Sequence, residues 1–462
     1  MRKLRRCLHT KTPLKTPLYD LKIQQFLQGR IWIEEELPFL QDIIRYHKTQ
    51  RWIIKNSGIQ QKQCMRCHSK RLHEFWCKQC EGHCAYCLNC LKMGRVSNCT
   101  NLIRWCGPTY KNYIAESCMT WTGTLTDSQQ RVVKECTAHE KDHLIHAVTG
   151  AGKTEMLFPI IEDALKKGKR VCIATPRTDV VLELMPRIQQ AFLTIPVQAF
   201  YGGSGFSLMY SPLIIATTHQ LLRFQQAFDL ILVDEADAFP YTYDEALQFA
   251  VKKALKDTGR TILVTATPTK NERQKYEKQQ TYSFLSRRFH GFDLPVPRFV
   301  ALFSYKKSFR KNHIPKRLSD WVESCITKQQ PFLLFFPTIE LMESAAPLFQ
   351  QLHENLHAVH ASDDHRKERV QALRDGNVPG LLTTTILERG ITIANLQVAV
   401  LGADETIFNA SALIQISGRA GRSKEYPTGD VCFFHAGITR QMDLARNEII
   451  RLNREEVIKQ LE

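Results

Sequence analysis

AVTGAGKTE, at residues 147–155, is the segment of this chain that is most informative about its fold. The apolar run HLIHAV leads into it, and its glycine-rich part, GAGKT, is typical of a loop that wraps backbone N–H groups around phosphates before a helix begins. In such a loop Lys153 reaches the β- and γ-phosphates, and the Thr154 hydroxyl binds Mg²⁺. Ala147 stands where the general pattern has glycine. We therefore expect the following residues to hold ATP and Mg²⁺: Thr149, Gly150, Ala151, Gly152, Lys153, Thr154 and Glu155.

An acidic motif follows about eighty residues later. LILVDEAD (230–237) is an apolar run that delivers Asp234 and Glu235 to the carboxyl end of a buried strand, which is where open α/β sheets bind their ligands. There Asp234 can hold Mg²⁺, directly or through water, and Glu235 can polarise an attacking water. Together with the phosphate loop, this motif predicts ATP hydrolysis.

Further motifs follow in the rest of the chain: TPR (175–177), TAT (265–267), TTTILERGITI (383–393) and QISGRAGR (415–422). The last of them places Arg419 and Arg422 three positions apart, so both can face a γ-phosphate as arginine fingers. The phosphate loop and these arginines lie in different halves of the chain, and they form one site only if two lobes close on each other. That arrangement is typical of a motor.

The pattern of apolar runs predicts the architecture. From about residue 125, short apolar strands alternate with amphipathic helices, which argues for parallel sheets covered by helices on both faces. A polar, basic stretch interrupts the alternation at 270–299, and a second series begins with FLLFFPT. We predict an α/β fold with two parallel-sheet lobes, at 121–300 and 301–462, joined near 295–315.

Charge and hydropathy restrict the classes of function. The net charge is +17, and the first 120 residues hold 21 Lys and Arg against 8 Asp and Glu. This skew favours a polyanionic partner, because each neutralised phosphate releases counterions; a solvated basic tail is the simpler alternative. The apolar runs are too short to span a membrane, and the basic N-terminus lacks the apolar core of a signal peptide.

Fifteen cysteines without an export signal indicate a reduced cytoplasmic compartment and thiolate–metal chemistry rather than disulfides. Seven of them fall in CMRCHSKRLHEFWCKQCEGHCAYCLNC (64–90), where two CxxC pairs complete a tetrahedral Zn²⁺ site. We expect a basic region at 1–60 and a zinc-binding domain at 61–120 with one or two ions. Spacing alone favours one ribbon and leaves thiols for a second ion: the ribbon is Cys64, Cys67, Cys77 and Cys80, and the remainder is Cys84, Cys87, Cys90 and either Cys99 or Cys106.

The ordered set QQ, GAGKT, TPR, DEAD, TAT, ERG and QxxGRxGR resembles superfamily 2 helicases and translocases. Longer stretches, among them RVCIATPRTDVVLELMPR, DEADAFPY and YCLNCLKMGRV, resemble the ComFA family of late-competence ATPases over about residues 60–440. The resemblance implies two RecA-like lobes behind a small zinc-binding region. It further implies that Gln129 contacts adenine and that Thr265 and Thr267 couple hydrolysis to lobe movement. It selects as zinc ligands Cys64, Cys67, Cys87 and Cys90. Among the remaining cysteines, Cys77, Cys80 and Cys84 offer an alternative or second site.

The same resemblance implies an ATP-dependent motor that translocates on single-stranded DNA and drives DNA uptake in natural transformation. It would act in the cytoplasm and reach the inner face of the membrane through the partners ComFC, DprA and the channel ComEC. A replication-restart or repair helicase that unwinds duplexes is the alternative. A zinc-bearing binding module with an idle nucleotide fold is another, and the intact Lys153, Asp234 and Glu235 argue against it. The DEAD spelling is shared with RNA helicases, but TAT and QISGRAGR depart from the SAT and HRIGR forms of that subgroup.

Overall fold

The computed structural model describes residues 20–110, 117–205, 208–388 and 392–459. Residues 1–19 of the predicted basic region, and Arg389 and Gly390 of the ERG motif, lie outside the described residues. The chain divides into two compact units. The first unit consists of residues 1–112, 205–210 and 223–227, and the second consists of residues 113–204, 211–222 and 228–462.

The first unit is built on a small antiparallel sheet. Its helices and strands are α1 (Leu21–Leu27), β1 (Trp32–Ile33), α2 (Gln41–Thr49), β2 (Ile53–Ser57), β3 (Ile59–Gln60), β4 (Gln63–Cys64), β5 (Leu72–Cys77), β6 (Gly82–Cys87) and β7 (Asn101–Trp105). Strand β7 pairs with both β1 and β2, while β3–β4 and β5–β6 form separate hairpins. Phe26, Trp32 and Ile103 belong to one buried cluster. Because β7 completes a sheet with earlier strands, no structural border falls at residue 60, where the sequence analysis set one.

The first lobe of the second unit is a parallel sheet flanked by helices. Its elements are α3 (Asp127–Thr137), β8 (His143–Ala147), α4 (Lys153–Lys166), β9 (Val171–Thr175), α5 (Thr178–Ala191), β10 (Val197–Phe200), β11 (Leu213–Thr217), β12 (Phe228–Asp234), α6 (Glu245–Ala254), β13 (Leu255–Thr265), α7 (Lys270–Lys278) and β14 (Tyr282–Leu285). The seven strands run in the order β10–β11–β9–β12–β13–β8–β14. Strands β8, β9 and β11 are buried at every position, as expected for parallel strands covered on both faces.

The second lobe repeats this architecture. Its elements are β15 (Arg298–Ala301), α8 (Tyr305–Arg310), α9 (Lys316–Thr327), β16 (Phe332–Phe335), α10 (Ile339–Leu352), β17 (His357–Val359), α11 (Arg366–Arg374), β18 (Gly380–Thr383), β19 (Gln397–Leu401), α12 (Ala410–Ser417), β20 (Val431–His435) and α13 (Arg440–Lys459). The parallel sheet has the order β15–β20–β19–β16–β18–β17. The predicted pair of parallel-sheet lobes is thus confirmed. The chain crosses between the lobes at 286–297, earlier than predicted, because β15 already pairs with β20.

The order of strands in the first lobe places the predicted motifs side by side. Strands β12, β13 and β8 are neighbours, so Asp234, Thr265 and the phosphate loop all emerge at the same carboxyl edge of the sheet. In the parts of the chain that the structure describes, no helix is both long enough and apolar enough to cross a bilayer.

Candidate functional site

A cavity of about 610 Å³ lies at this edge and is lined by residues of both lobes. Ala151 is buried and does not line it, although its loop neighbours do. The arginines of the second lobe and the acidic motif of the first therefore meet around one space. The residues predicted from the sequence that line it are Gln129, Thr149, Gly150, Gly152, Lys153, Thr154, Glu155, Asp234, Glu235, Arg419 and Arg422.

The phosphate loop has a backbone conformation that its glycines permit. Gly150 and Gly152 have φ values of 80° and 70°, in the left-handed region that strains other residues. Lys153 is the first residue of α4, and the free N–H groups in the first turn of a helix attract phosphates. A Cβ on Gly152 would lie 2.5 Å from the side-chain nitrogen of Gln129, so the loop needs glycine here for space as well.

Gln129 supports the phosphate loop from α3. Its side-chain nitrogen donates to the carbonyl oxygens of Ala151 at 2.8 Å and Gly152 at 3.3 Å. Its side-chain oxygen accepts from the Thr126 N–H at 2.8 Å, which completes a capping box at the start of the helix. The structure therefore shows that Gln129 holds the phosphate loop in place. Gln129 also lines the cavity, and its contact with adenine stays a prediction.

The acidic motif places a carboxylate beside the cavity and contains a residue with a strained backbone. Asp234 and Thr154 are both buried and both line the cavity, and carboxylate and hydroxyl oxygens suit Mg²⁺. The Glu235 N–H donates to Asp234 Oδ1 at 2.9 Å. Glu235 has a φ of 54°. For a residue other than glycine this left-handed conformation costs about 1–3 kcal/mol, and such strained residues are common at functional sites.

The arginines of the second lobe lie in the turn after α12. The Nε group of Arg419 donates to the Glu388 carbonyl at 2.7 Å, and the Nε group of Arg422 donates to the Gly418 carbonyl at 2.9 Å. A Cβ on Gly418 would come within 1.8 Å of the Thr149 hydroxyl. The turn therefore touches the phosphate loop directly, and the two lobes are closed on each other.

Partial burial changes the electrostatics of Arg422. Desolvation, assisted by the neighbouring charge of Arg288, lowers the pKa of Arg422 to about 10, while Glu183 and Glu235 act in the opposite direction. The guanidinium remains charged at neutral pH. A phosphate in the cavity would offset its lost hydration, because an opposite charge favours the ionised form.

A second contact between the lobes involves the TAT motif. The Thr267 hydroxyl donates to Asp237, the last residue of DEAD, and lies 2.6 Å from the Ser411 hydroxyl of α12. Gln415 of the same helix donates to Asp237 Oδ2 at 3.2 Å. The acidic motif is therefore connected to the second lobe through Thr267 and also directly through Gln415. The Thr265 hydroxyl accepts from the Thr267 N–H within the first lobe.

Arg288, which lies in the crossing between the lobes, belongs to none of the predicted motifs. Its side chain is 2% exposed, and its Nη1 group donates to the carbonyl of Gly421. The following residue, Phe289, donates its N–H to the Gly150 carbonyl at 3.0 Å. Burial lowers the pKa of Arg288 to about 10. The stretch RRFH (287–290) thus joins the phosphate loop to the arginine turn. In the sequence Arg288 looks like the neighbouring Arg287, and only the tertiary packing of its side chain reveals its role.

We expect Arg288→Ala to lower kcat for ATP hydrolysis about ten- to a hundredfold, since a buried hydrogen bond from a charged group contributes about 1.5–3 kcal/mol. Steady-state kinetics should show a larger change in kcat than in KM, because the lobes lose their alignment rather than the nucleotide its contacts. Arg287→Ala is the matched control, since Arg287 donates locally to Gly291. A wild-type kcat in the Arg288 variant would show that this side chain only fills space.

Four buried cysteines converge in the first unit, and they are the set that the resemblance selects: Cys64, Cys67, Cys87 and Cys90. Their sulfurs lie within 4.8 Å of one another, with Cys64–Cys90 at 3.8 Å and Cys67–Cys87 at 3.5 Å. A disulfide is about 2.0 Å long, whereas the edge of a ZnS₄ tetrahedron with bonds of about 2.3 Å is about 3.8 Å. The group therefore fits a zinc ion.

A buried arginine supports this first cysteine group. Arg66 lies between the two cysteines of the CMRC turn and is 2% exposed. Its Nε group donates to Cys90 Sγ at 3.4 Å, and its Nη1 group donates to the Met93 carbonyl at 3.0 Å. Hydrogen bonds from Cys64, Cys67 and Cys87 lower the pKa of the Cys90 thiol, and the Arg66 guanidinium lowers it further, whereas the hydrogen bond with Cys64 raises the pKa of Cys67 and of Cys87. The positive charge of Arg66 would stabilise a thiolate at Cys90.

A second cysteine group also forms, and it corrects the ribbon that spacing favoured. Cys77 and Cys80 lie with Cys84 and Cys99, their sulfurs all within 4.8 Å, and not with Cys64 and Cys67. The predicted grouping differs from the observed one because Cys84 and Cys87 do not form a CxxC turn, as their spacing suggests, but lie on the extended strand β6. Residues three apart on a strand face opposite sides, so these two cysteines join different groups. Cys106 is exposed and belongs to neither group.

Both lobes of the second unit match known families of helicase domains. The description "DEAD/DEAH box helicase" matches residues 126–275, and "Helicase conserved C-terminal domain" matches residues 314–424. The cavity lies between these two domains. The protein is therefore an ATPase of the helicase class, as predicted.

The remainder of the chain specifies the family. "Competence protein ComFA N-terminal domain" matches residues 12–104. Competence protein ComFA of Bacillus subtilis is 43% identical over 95% of this chain and 96% of its own length, and that of Streptococcus pneumoniae is 36% identical over 94% and 99%. The chain belongs to the ComFA family of competence proteins, which confirms the predicted resemblance.

A solved structure supports the fold at a greater evolutionary distance. S. cerevisiae Dbp5, bound to RNA and ADP BeF3, superimposes with a TM-score of 0.54 at 15% sequence identity. The match covers 74% of this chain and 93% of that one. At this identity the likeness shows the fold alone.

Proposed function

We propose that this competence-related ATPase is a motor that translocates on single-stranded DNA and drives DNA uptake in natural transformation. The observation that carries the proposal is the shared cavity, in which the phosphate loop of one lobe faces the arginines of the other. Since ATP would contact both lobes, its hydrolysis would change their separation, and such closure and opening is how a two-lobed enzyme converts chemistry into movement.

In this proposal the predicted catalytic residues of the cavity divide the steps of ATP hydrolysis among them. Lys153 and the N–H groups of its loop bind the β- and γ-phosphates, and Glu235 orients and polarises the attacking water. Arg419 and Arg422 balance the charge that develops on the γ-phosphate. Thr154 and Asp234 would hold Mg²⁺, which would supply positive charge to neutralise the phosphate oxygens.

Coupling to movement follows from the contacts between the lobes. After hydrolysis the arginine turn loses its anionic partner, and Thr267 and Ser411 are placed to transmit the change. The Thr267 hydroxyl bonds to both Asp237 of the acidic motif and Ser411 of α12. A movement of the acidic motif at Glu235 would therefore reach the second lobe through these few side chains.

Exposed aromatic side chains support single-stranded DNA as the track. Phe239 and Tyr243, which follow the acidic motif, are 75% and 76% exposed. In the first unit Trp76 is 61% exposed, and the Arg95 guanidinium lies 5.4 Å from the ring centre of Phe75. Aromatic rings stack on unpaired bases without sequence preference, and basic groups follow the phosphate backbone. Duplex DNA hides its base faces from such side chains.

The decisive experiment measures ATPase rates with single-stranded DNA, duplex DNA and RNA in parallel, and strand displacement on a forked duplex. We expect single-stranded DNA to stimulate hydrolysis most, with little strand displacement. Efficient unwinding would favour the replication-restart or repair helicase instead. Stimulation by RNA alone would contradict the proposed substrate.

Three further elements belong to the proposal. The first cysteine group would hold Zn²⁺, which would stabilise the surrounding turns as structural zinc does in small domains. The protein would act in the cytoplasm and reach the inner face of the membrane through partners. Its protein partners are the competence proteins ComFC, DprA and the channel ComEC, in line with its family.

Replacing Cys64 and Cys67 together by Ser is expected to remove one equivalent of zinc and to destabilise the first unit, because structural zinc contributes about 10–16 kcal/mol in small zinc domains. ATPase activity without DNA should persist, since the predicted catalytic residues all lie in the second unit. Metal analysis and single-stranded DNA affinity at several salt concentrations test this. Cys106→Ser is the control. Full zinc content in the double variant would contradict the ligand assignment.

A further inference from the structure

We propose that Cys77, Cys80, Cys84 and Cys99 hold a second zinc ion, separate from the first and much more readily exchanged. The sulfur of Cys99 lies 3.4 Å from that of Cys77, 3.1 Å from that of Cys80 and 3.2 Å from that of Cys84. These distances are far too long for disulfides, which need about 2.0 Å. They approach the edge of about 3.8 Å that a ZnS₄ tetrahedron requires, and four soft sulfur ligands favour zinc over Mg²⁺ and Ca²⁺, which prefer oxygen ligands.

The β5–β6 hairpin needs a metal because it has no core of its own. Among the twelve residues of its two strands, the buried ones are Cys77, Cys84 and Cys87 alone. Every other side chain is partly or fully exposed, including Trp76. An isolated two-stranded hairpin is marginally stable in water. Metal bonds at its tip, through Cys77, and at its base, through Cys87, would supply the cohesion that hydrophobic packing does not.

The fourth ligand is positioned without the metal. Ala85 on β6 donates its N–H to the Asn98 side-chain oxygen at 2.6 Å, and Asn98 donates its N–H to the Ala85 carbonyl at 3.1 Å. These two bonds hold the chain before β7 against the hairpin, so Cys99 stands beside the other three sulfurs. The site is thus preorganised, which lowers the cost of binding the ion.

The two cysteine groups differ in their access to solvent. The first group is buried at all four positions, whereas Cys80 of the second group is exposed and Cys99 is partly exposed. Chelators and thiol reagents can reach the second group without any opening of the fold. The first group requires local unfolding before it reacts, and that opening costs free energy. Two zinc ions in one unit would therefore leave at different rates.

The test uses the full-length protein and does not depend on its activity. We expect two equivalents of zinc in the wild type, and release in two phases of one equivalent each when a thiol-blocking reagent is added with a zinc-binding dye. Cys80→Ser and Cys99→Ser should each retain one equivalent and lose the fast phase. Cys106→Ser, the matched control, should retain two equivalents and both phases.

One equivalent of zinc in the wild type, retained in Cys80→Ser and Cys99→Ser, would overturn the proposal. So would release of both ions in a single phase, or iron in place of zinc at the second group. The release measurement needs only the wild type, so it decides the question even if a variant does not fold. None of these results bears on ATP turnover, and so failure here is distinguishable from failure of the motor proposal.

Discussion

Glu235→Gln is expected to lower ATP turnover by about a hundredfold or more, the scale of losing one group that stabilises a transition state. Glutamine keeps the size of the side chain and its place at the end of β12, but it cannot polarise the attacking water. Lys153→Ala should lose a similar factor, because the charge on the β- and γ-phosphates is no longer balanced. Single-turnover and steady-state hydrolysis, with nucleotide binding measured alongside, test both changes.

The two variants should differ in binding, which separates their roles. Glu235→Gln should bind ATP as well as the wild type, whereas Lys153→Ala should bind it more weakly. Glu354→Gln, at an exposed glutamate of the second lobe, is the control for loss of a carboxylate. Turnover close to that of the wild type in the Glu235 variant would remove this residue from the mechanism.

Arg422→Ala is expected to abolish hydrolysis while ATP still binds. The arginine belongs to the second lobe and faces the γ-phosphate only when the lobes close, so the first lobe can hold the nucleotide without it. An arginine supplied across a cleft in this way typically contributes about 10³- to 10⁵-fold to turnover. Fluorescent nucleotide binding and phosphate release, measured on the same preparation, test the separation of the two effects.

Two further substitutions sharpen the result for the arginine. Arg422→Lys keeps the charge but loses the planar fork, so we expect only partial recovery. Lys424→Ala changes an exposed residue two positions later and should leave turnover unchanged. If Arg422→Ala instead loses ATP binding, the arginine holds the turn after α12 through its bond to Gly418 and is not a finger.

The lobes and the nucleotide motifs could be predicted because they depend on neighbours in sequence. Runs of apolar residues such as LILVD need only their own composition to become buried strands. The GAGKT loop needs glycines at fixed offsets from Lys153, and the acidic pair needs only to end a strand. Local patterns of this kind can be recognised without knowing how the rest of the chain folds. The catalytic roles of these residues stay predictions until they are measured.

The boundaries of the parts were less accurate. The crossing between the lobes lies at 286–297, because β15 forms its hydrogen bonds with a strand more than a hundred residues later. The border expected at residue 60 is absent, since β7 pairs with strands on its far side. Both depend on long-range strand pairing, which leaves no mark on the local composition.

An ATPase of two parallel-sheet lobes with clustered cysteines could be inferred from local properties of the chain, namely hydrophobic periodicity and motif spacing. The grouping of the cysteines and the identity of the side chains that join the lobes depend on tertiary contacts. Cys84 and Cys87 are separated by the alternation of a strand, Cys99 comes from a later loop, and Arg288 meets Gly421 across more than a hundred residues. Such contacts exist only after the chain has folded, since they depend on the direction in which each backbone segment turns its side chains.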